Sequence, residues 1–314
     1  MVKHGNISDS SLKIYLSNLG TIAKAIDYKE DPSSSGKWIE DNIKEILAYI
    51  DGLNSKHTKK NKIASLVVFG NMFDIKASVL KQLTERMDKL AGEINDQYST
   101  NEMTDTEKEN WIGEEEISAK IIQLRDKIPK AIDKYTDYKT VVRYLMLLIH
   151  HELPLRNDLA DAKIVFNDNE ATDADINYIV LNKKGKTAKI ILNNYKTKKV
   201  YHQKSIDIPQ PIAKELIKYQ PIIYKFSPNG WFIVSRDATD KPITRNSYTK
   251  LFQEIFADTG KSVSTTQVRR AIVSKLYAPT PDELKKKQQL ASVMSHSVDM
   301  AMKVYAKIEP PSEK

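Results

Sequence analysis

Apolar residues recur three and four apart through most of the chain, a spacing that predicts helices. Leu12, Tyr15, Leu16, Leu19, Ile22, Ala23 and Ile26 mark a first helix over residues 8–26, behind Ser8 or Ser10 as its cap. Asp31-Pro-Ser-Ser-Ser-Gly36 reads as a loop. A second helix is expected over 37–52, ending near Gly52. A third opens at Thr58-Lys59-Lys60-Asn61-Lys62 and carries Ile63, Leu66, Val67 and Phe69 to Phe73, and a fourth covers 75–95. Residues 96–110 are polar and aperiodic, as a linker is. Helices follow at 114–128 and 138–151. The pattern then changes: Ile176–Leu181, Thr187–Leu192 and Gln203–Ile208 read as strands, joined by turns at Asn182–Gly185 and Asn193–Lys199. Pro209 and Pro211 stop the third strand, and helical spacing returns at 211–220, 244–258, 264–277, 281–294 and 298–307. The expected fold is therefore mainly α with a small antiparallel β-sheet, an α+β protein. Its expected parts are a helical domain over 1–95, a linker over 96–110 and a second domain over 111–314.

Composition narrows the function. A chain of 314 residues accommodates two domains, and its 40% hydrophobic and 29% charged content is that of a globular protein. The formal net charge of +8 favours a polyanionic partner, nucleic acid first. There is no cysteine, which excludes disulfides and thiolate metal sites. No apolar run approaches the roughly 18 residues of a membrane span. The N-terminal Met-Val-Lys-His-Gly-Asn lacks a signal-peptide core, so an intracellular location and no membrane partner are expected.

The candidate chemistry lies in the second half. In chain order come Arg156 in Leu-Pro-Leu-Arg-Asn-Asp, Lys196 in Asn-Asn-Tyr-Lys-Thr-Lys-Lys, and Arg269 in Thr-Thr-Gln-Val-Arg-Arg. His296 in Met-Ser-His-Ser and Tyr305, nine residues later, complete the set. Phosphodiester cleavage spreads negative charge over non-bridging oxygens, which metal ions or fixed cationic donors can stabilise. Arginine suits the second task because its planar fork meets phosphate oxygens two at a time. Only eight of the 49 basic residues are arginines, so an arginine here more often has a geometric reason. Tyrosine, with a free pKa of about 10, becomes a nucleophile only with help from a base or nearby positive charge.

This ordered set resembles the tyrosine recombinase (phage integrase) family. The His296 to Tyr305 spacing is similar to that family's C-terminal box. Thr266-Gln267-Val268-Arg269 is similar to its second arginine box, with threonine where the family has histidine. Arg156, Asp158 and Leu159 approximate the first arginine box, and Lys196 matches a lysine on a β-hairpin turn. The resemblance implies a helical core-binding domain followed by a catalytic domain, the two gripping duplex DNA. It implies a site-specific recombinase or integrase, as found in viruses and mobile elements, acting through a 3′-phosphotyrosyl intermediate with no cofactor, metal or ATP. Tyr305 would be the nucleophile, Arg156, Arg269 and His296 the phosphate donors, and Lys196 the general acid. The implied assembly is a homotetramer on two DNA sites.

Alternatives remain open on the residues themselves. Type IB topoisomerase or telomere resolvase activity would use the same chemistry, and Thr266 keeps alive a DNA-binding regulator with a degenerate site. Lys59, Lys60 and Lys62 are candidate phosphate contacts or a solvated turn. Arg269 and Arg270 point to different helix faces, so one can meet phosphate while the other makes a surface ion pair. Arg270 and Thr266 are kept as DNA-binding candidates. Lys198 and Lys199 lie near enough to replace Lys196. His150-His151-Glu152 lacks the i, i+4 spacing of a metal site, so no metal ligands are expected.

Overall fold

The computed structural model describes residues 7–99 and 102–277, together with 280, 282, 283 and 286. The chain divides into two compact units, Met1–Thr104 and Asp105–Lys314. His296, Tyr305 and the helix expected at 298–307 lie outside the described residues, as does most of the helix expected at 281–294.

The first unit is helical throughout: α1 (Asp9–Ala25), α2 (Lys37–Asp41), α3 (Ile43–Asp51), α4 (Lys56–Met72) and α5 (Ala77–Ser99). Ser8 and Ser55 cap α1 and α4, their hydroxyls accepting from the backbone N–H groups of Ser11 and Thr58. The helix expected over 37–52 is divided at Asn42, whose side-chain amide donates to the Trp38 carbonyl at 2.8 Å. Asparagine commonly competes in this way with the helical ladder. Leu19, Ile22, Trp38, Ile46, Ile63, Leu66 and Leu83 fill the core. The last turn of α5 enters the stretch expected as a linker, and residues 105–109 form a short helix, α6 (Asp105–Glu109).

The second unit combines helices with a mixed sheet. Its further helices are α7 (Glu114–Asp126), α8 (Tyr135–Glu152), α9 (Lys198–Tyr201), α10 (Gln210–Phe226), α11 (Arg245–Ile255) and α12 (Thr265–Tyr277). The main sheet runs β1 (Ala162–Val165), β2 (Asn177–Asn182), β3 (Thr187–Leu192), β4 (Lys204–Ile208) in that order. β2, β3 and β4 are antiparallel, as the alternation predicts, whereas β1 pairs parallel with β2. β1 is a short addition that the sequence reading misses, as is the hairpin of β5 (Val234–Ser235) and β6 (Ala238–Pro242). α10 continues past Pro221 because Leu216, Tyr219 and Ile223 keep one buried stripe on the core, and packing outweighs the proline's lost hydrogen bond. α8 is central, with Val141, Val142, Leu145, Met146 and Ile149 buried, and it packs against α7, α10, α11 and α12. Among the described residues, no helix is long and apolar enough to cross a membrane.

Candidate functional site

The end of α8 delivers Arg156. Leu153 turns to extended backbone ahead of Pro154, the conformation favoured before proline, and this stops the helix. The chain then passes Arg156 into a 3₁₀ turn at Asn157–Leu159. Under this turn lies His150, fully buried, with Nδ1 2.9 Å from the Met146 carbonyl and Nε2 3.3 Å from the Arg156 carbonyl. A neutral imidazole has one N–H, and the shorter contact takes it. Burial pushes the His150 pKa down to about 4; Arg269 pushes the same way, and the two carbonyls oppose it.

Arg269 reaches the same turn from α12. Val268 and Ala271 seat that helix on the core, which leaves Arg269 half-buried at its margin. Its Nε donates to the Pro154 carbonyl at 2.7 Å. That bond uses one of the five guanidinium N–H donors and orients the rest. Its pKa is lowered by burial and then by the charge of Arg156, with Asp158 opposing. The two guanidiniums are thus close enough to repel each other. Among the described residues, neither Arg156 nor Arg269 has a carboxylate at ion-pair distance, whereas Arg86, Arg125, Arg143, Arg245 and Arg270 each have one. A bound anion would relieve this repulsion.

Two asparagines lace the turn to its surroundings. Asn157 donates from Nδ2 to the Thr249 hydroxyl at 2.7 Å and to the Arg245 carbonyl at 3.3 Å, and its Oδ1 accepts from the Thr265 hydroxyl at 2.6 Å. The starts of α11 and α12 are thereby tied to the residue after Arg156. Asn177, fully buried at the start of β2, donates to the Asp158 and Asn194 carbonyls at 2.7 and 2.9 Å. Its Oδ1 accepts from the backbone N–H groups of Asn193 and Asn194, both at 2.8 Å. The connection carrying Lys196 is thus anchored to the Arg156 turn. Arg245 adds a bond to the Asn194 carbonyl at 2.9 Å and lies 3.8 Å from Asp161. Burial raises the pKa of both Asp158 and Asp161, and Arg245 opposes the rise in each.

The sequence candidates of the second unit other than His296 and Tyr305 lie among the described residues. Lys196 is exposed with no partner among the described residues, while Lys198 bonds the Ala174 carbonyl at 2.8 Å and faces Asp175. The Lys196 turn is more than a bare hairpin turn, because it leads into α9. Thr266 is exposed, one helical turn before Arg269, and its backbone N–H bonds the Ser264 hydroxyl. Thr265, not Thr266, makes the contact to the Arg156 turn. Arg270 diverges from Arg269, as adjacent helical residues do, and ion-pairs with Glu107 at 2.6 Å.

The lysines of the first-unit cluster differ in their surroundings. Lys62 is buried with its ammonium 5.6 Å over the Tyr49 ring, and burial lowers its pKa. Lys59 bonds the Asp51 carbonyl at 2.7 Å, and Lys60 is half-buried. The sequence reading missed Arg245, Asn157 and Asn177. The scarcity of arginine could have flagged Arg245; two asparagines inside loops carried no signal. His150 and His151 diverge, His151 meeting Glu114 at 2.9 Å, and no group of three potential metal ligands occurs among the described residues.

No protein-family model matches the chain, and no curated protein matches it. Among solved structures, a crystal structure of XerA recombinase is similar, with 13% sequence identity and a TM-score of 0.34, covering 96% of this chain and 95% of that one. At that distance the likeness carries no argument, and the functional case rests on the residues.

Proposed function

We propose that the chain is a DNA strand-transfer enzyme of the tyrosine recombinase kind. In this reading the Tyr305 oxygen attacks a backbone phosphorus and the bond to the 5′ oxygen breaks. The products are a 3′-phosphotyrosyl ester and a 5′ hydroxyl, which takes its proton from Lys196. Arg156, Arg269 and His296 stabilise the charge on the non-bridging oxygens. A 5′ hydroxyl from a second duplex reverses the attack, within a homotetramer on two DNA sites.

The observation that supports this reading is the pair Arg156 and Arg269, without a carboxylate at ion-pair distance among the described residues, beside a turn to which the Lys196 connection is anchored by Asn177. The test is incubation of the full chain with nicked duplexes of random sequence, in EDTA, followed by denaturation. A DNA-linked chain from wild type and none from Tyr305→Phe is the expected result. Adduct from Tyr305→Phe would move the nucleophile elsewhere. Binding without any adduct would favour the DNA-binding regulator, a reading that the lone hydroxyl of Thr266 keeps in play.

A further inference from the structure

The connection between β3 and β4 presents a feature that phosphate chemistry does not use. Val200 and Tyr201, adjacent at the end of α9, are 69% and 58% exposed. Single exposed apolar residues are ordinary, but two large ones side by side at the tip of a connection call for a reason. Their setting is strongly one-signed. Residues 193–206 contain Lys196, Lys198, Lys199, Lys204 and His202 and no aspartate or glutamate.

The tip is also held in shape. The Lys204 ammonium lies 4.5 Å over the Tyr201 ring and 5.7 Å over that of Tyr195. His202 has φ 54° and ψ −155°, a conformation that costs a non-glycine residue energy. The Tyr195 hydroxyl holds it by donating to the His202 carbonyl at 2.6 Å. A strained residue, clamped by a buried tyrosine, thus directly follows the exposed pair.

We infer that Val200 and Tyr201 form an apolar wedge that enters a base step of bound duplex DNA, with Lys196, Lys199 and Lys204 toward the flanking phosphates. The inference rests on the DNA-binding reading above and extends it to the tip of this connection. Charge complementarity selects the occupant. A protein partner would have to bring carboxylates to Lys196, Lys199 and Lys204, whereas duplex DNA brings phosphates on both sides of a stacked apolar interior. Apolar side chains inserted between base pairs unstack and kink the duplex, and an aromatic ring can replace the lost stacking.

The test uses the full chain carrying Tyr305→Phe, so that no strand is cut, with or without Val200→Ser and Tyr201→Ser together. Each protein is bound to nicked plasmid, the nick is sealed by ligase, and the topoisomers are resolved after protein removal. The parent should unwind the plasmid in proportion to bound protein. The double-serine variant should lose most of that unwinding at equal occupancy and bind about ten-fold more weakly. Its slope of log affinity against log salt should be unchanged, since no counterion-releasing contact is removed. Tyr201→Phe should behave as the parent. Equal unwinding by parent and double-serine variant would overturn the wedge, as would no unwinding by a parent that binds. A change of oligomeric state in the double-serine variant would instead make the patch a protein interface and overturn it too. Failure of the parent to bind plasmid would sink the DNA reading itself along with the wedge.

Discussion

The chain concentrates positive charge in two regions built in opposite ways. In the helical unit, the cations around the start of α4 are largely occupied: Lys56 by Glu93, Lys59 by the Asp51 carbonyl, Arg86 by Asp51, and Lys62 by the Tyr49 ring. In the second unit, Arg156 and Arg269 are brought toward each other and given no acid among the described residues. Occupied cations are stable without a ligand. Arg269 is half-buried and Arg156 exposed, and an anion bound beside them would offset their like charge. The two regions carry charge of the same sign, and their surroundings separate general attraction to a polyanion from a site built for one phosphate.

The largest expected effect tests that difference within two neighbouring residues. Arg269→Ala should slow adduct formation by about 10³-fold, the cost of losing a preorganised donor to developing charge, whereas Arg270→Ala should change it by less than about fivefold, because only a surface ion pair is lost. Single-turnover adduct kinetics separate the two, and equal effects would break the distinction drawn here.

Next in size is the proton donor. Lys196→Ala should slow cleavage by about 10²-fold on ordinary DNA. It should recover on a substrate whose 5′ bridging oxygen is sulfur, a leaving group needing little protonation. Arg269→Ala should stay slow on both. Rescue of Lys199→Ala instead would leave the acid on this connection but shift it to Lys199.

A third outcome concerns the support beneath Arg156. The His150 pKa is depressed to about 4 when folded, from 6.5 when unfolded, so the unfolded chain binds the extra proton between those values. Stability is therefore present above pH 6.5 and lost as pH falls, by about 2 kcal/mol down to pH 5. Urea denaturation across that range should show the loss in wild type and a smaller one in His150→Gln. An identical pH dependence in both would contradict the burial argument.

The smallest effects sharpen the comparison from the other side. If the α4 region supplies general attraction, Lys60→Ala should weaken duplex binding modestly and lower the salt slope by about one. Lys62→Ala should leave the slope alone and reduce stability, since Lys62 packs on Tyr49. Fluorescence anisotropy over a salt series reads the first, and thermal unfolding the second.

Much of this architecture was legible in the chain, for reasons that differ by element. Long amphipathic stripes such as Leu12 to Ile26 mark α1 because burial alone dictates their spacing. The β2–β3–β4 meander was visible because alternation and turn residues coincide. β1 was not, being four residues whose pairing with β2 is parallel and long-range. Arg156 and Arg269 stood out because arginine is scarce and their order matched a chemical requirement. The asparagines that join their elements did not, because Asn157 and Asn177 act through backbone carbonyls and N–H groups distant in sequence. The packing of Lys62 over the Tyr49 ring was not legible, since a charge count does not distinguish a buried lysine from an exposed one.

The most direct test of the central claim is to locate the DNA on the chain. Wild-type protein is reacted with nicked duplex in EDTA, denatured and digested with trypsin, and the nucleotide-bearing peptide is sequenced by mass spectrometry. The account predicts a single modified tryptic peptide, Val304-Tyr305-Ala306-Lys307, linked through the Tyr305 oxygen. A nucleotide on any other residue, or an adduct that forms only when a divalent metal ion is supplied, would contradict it.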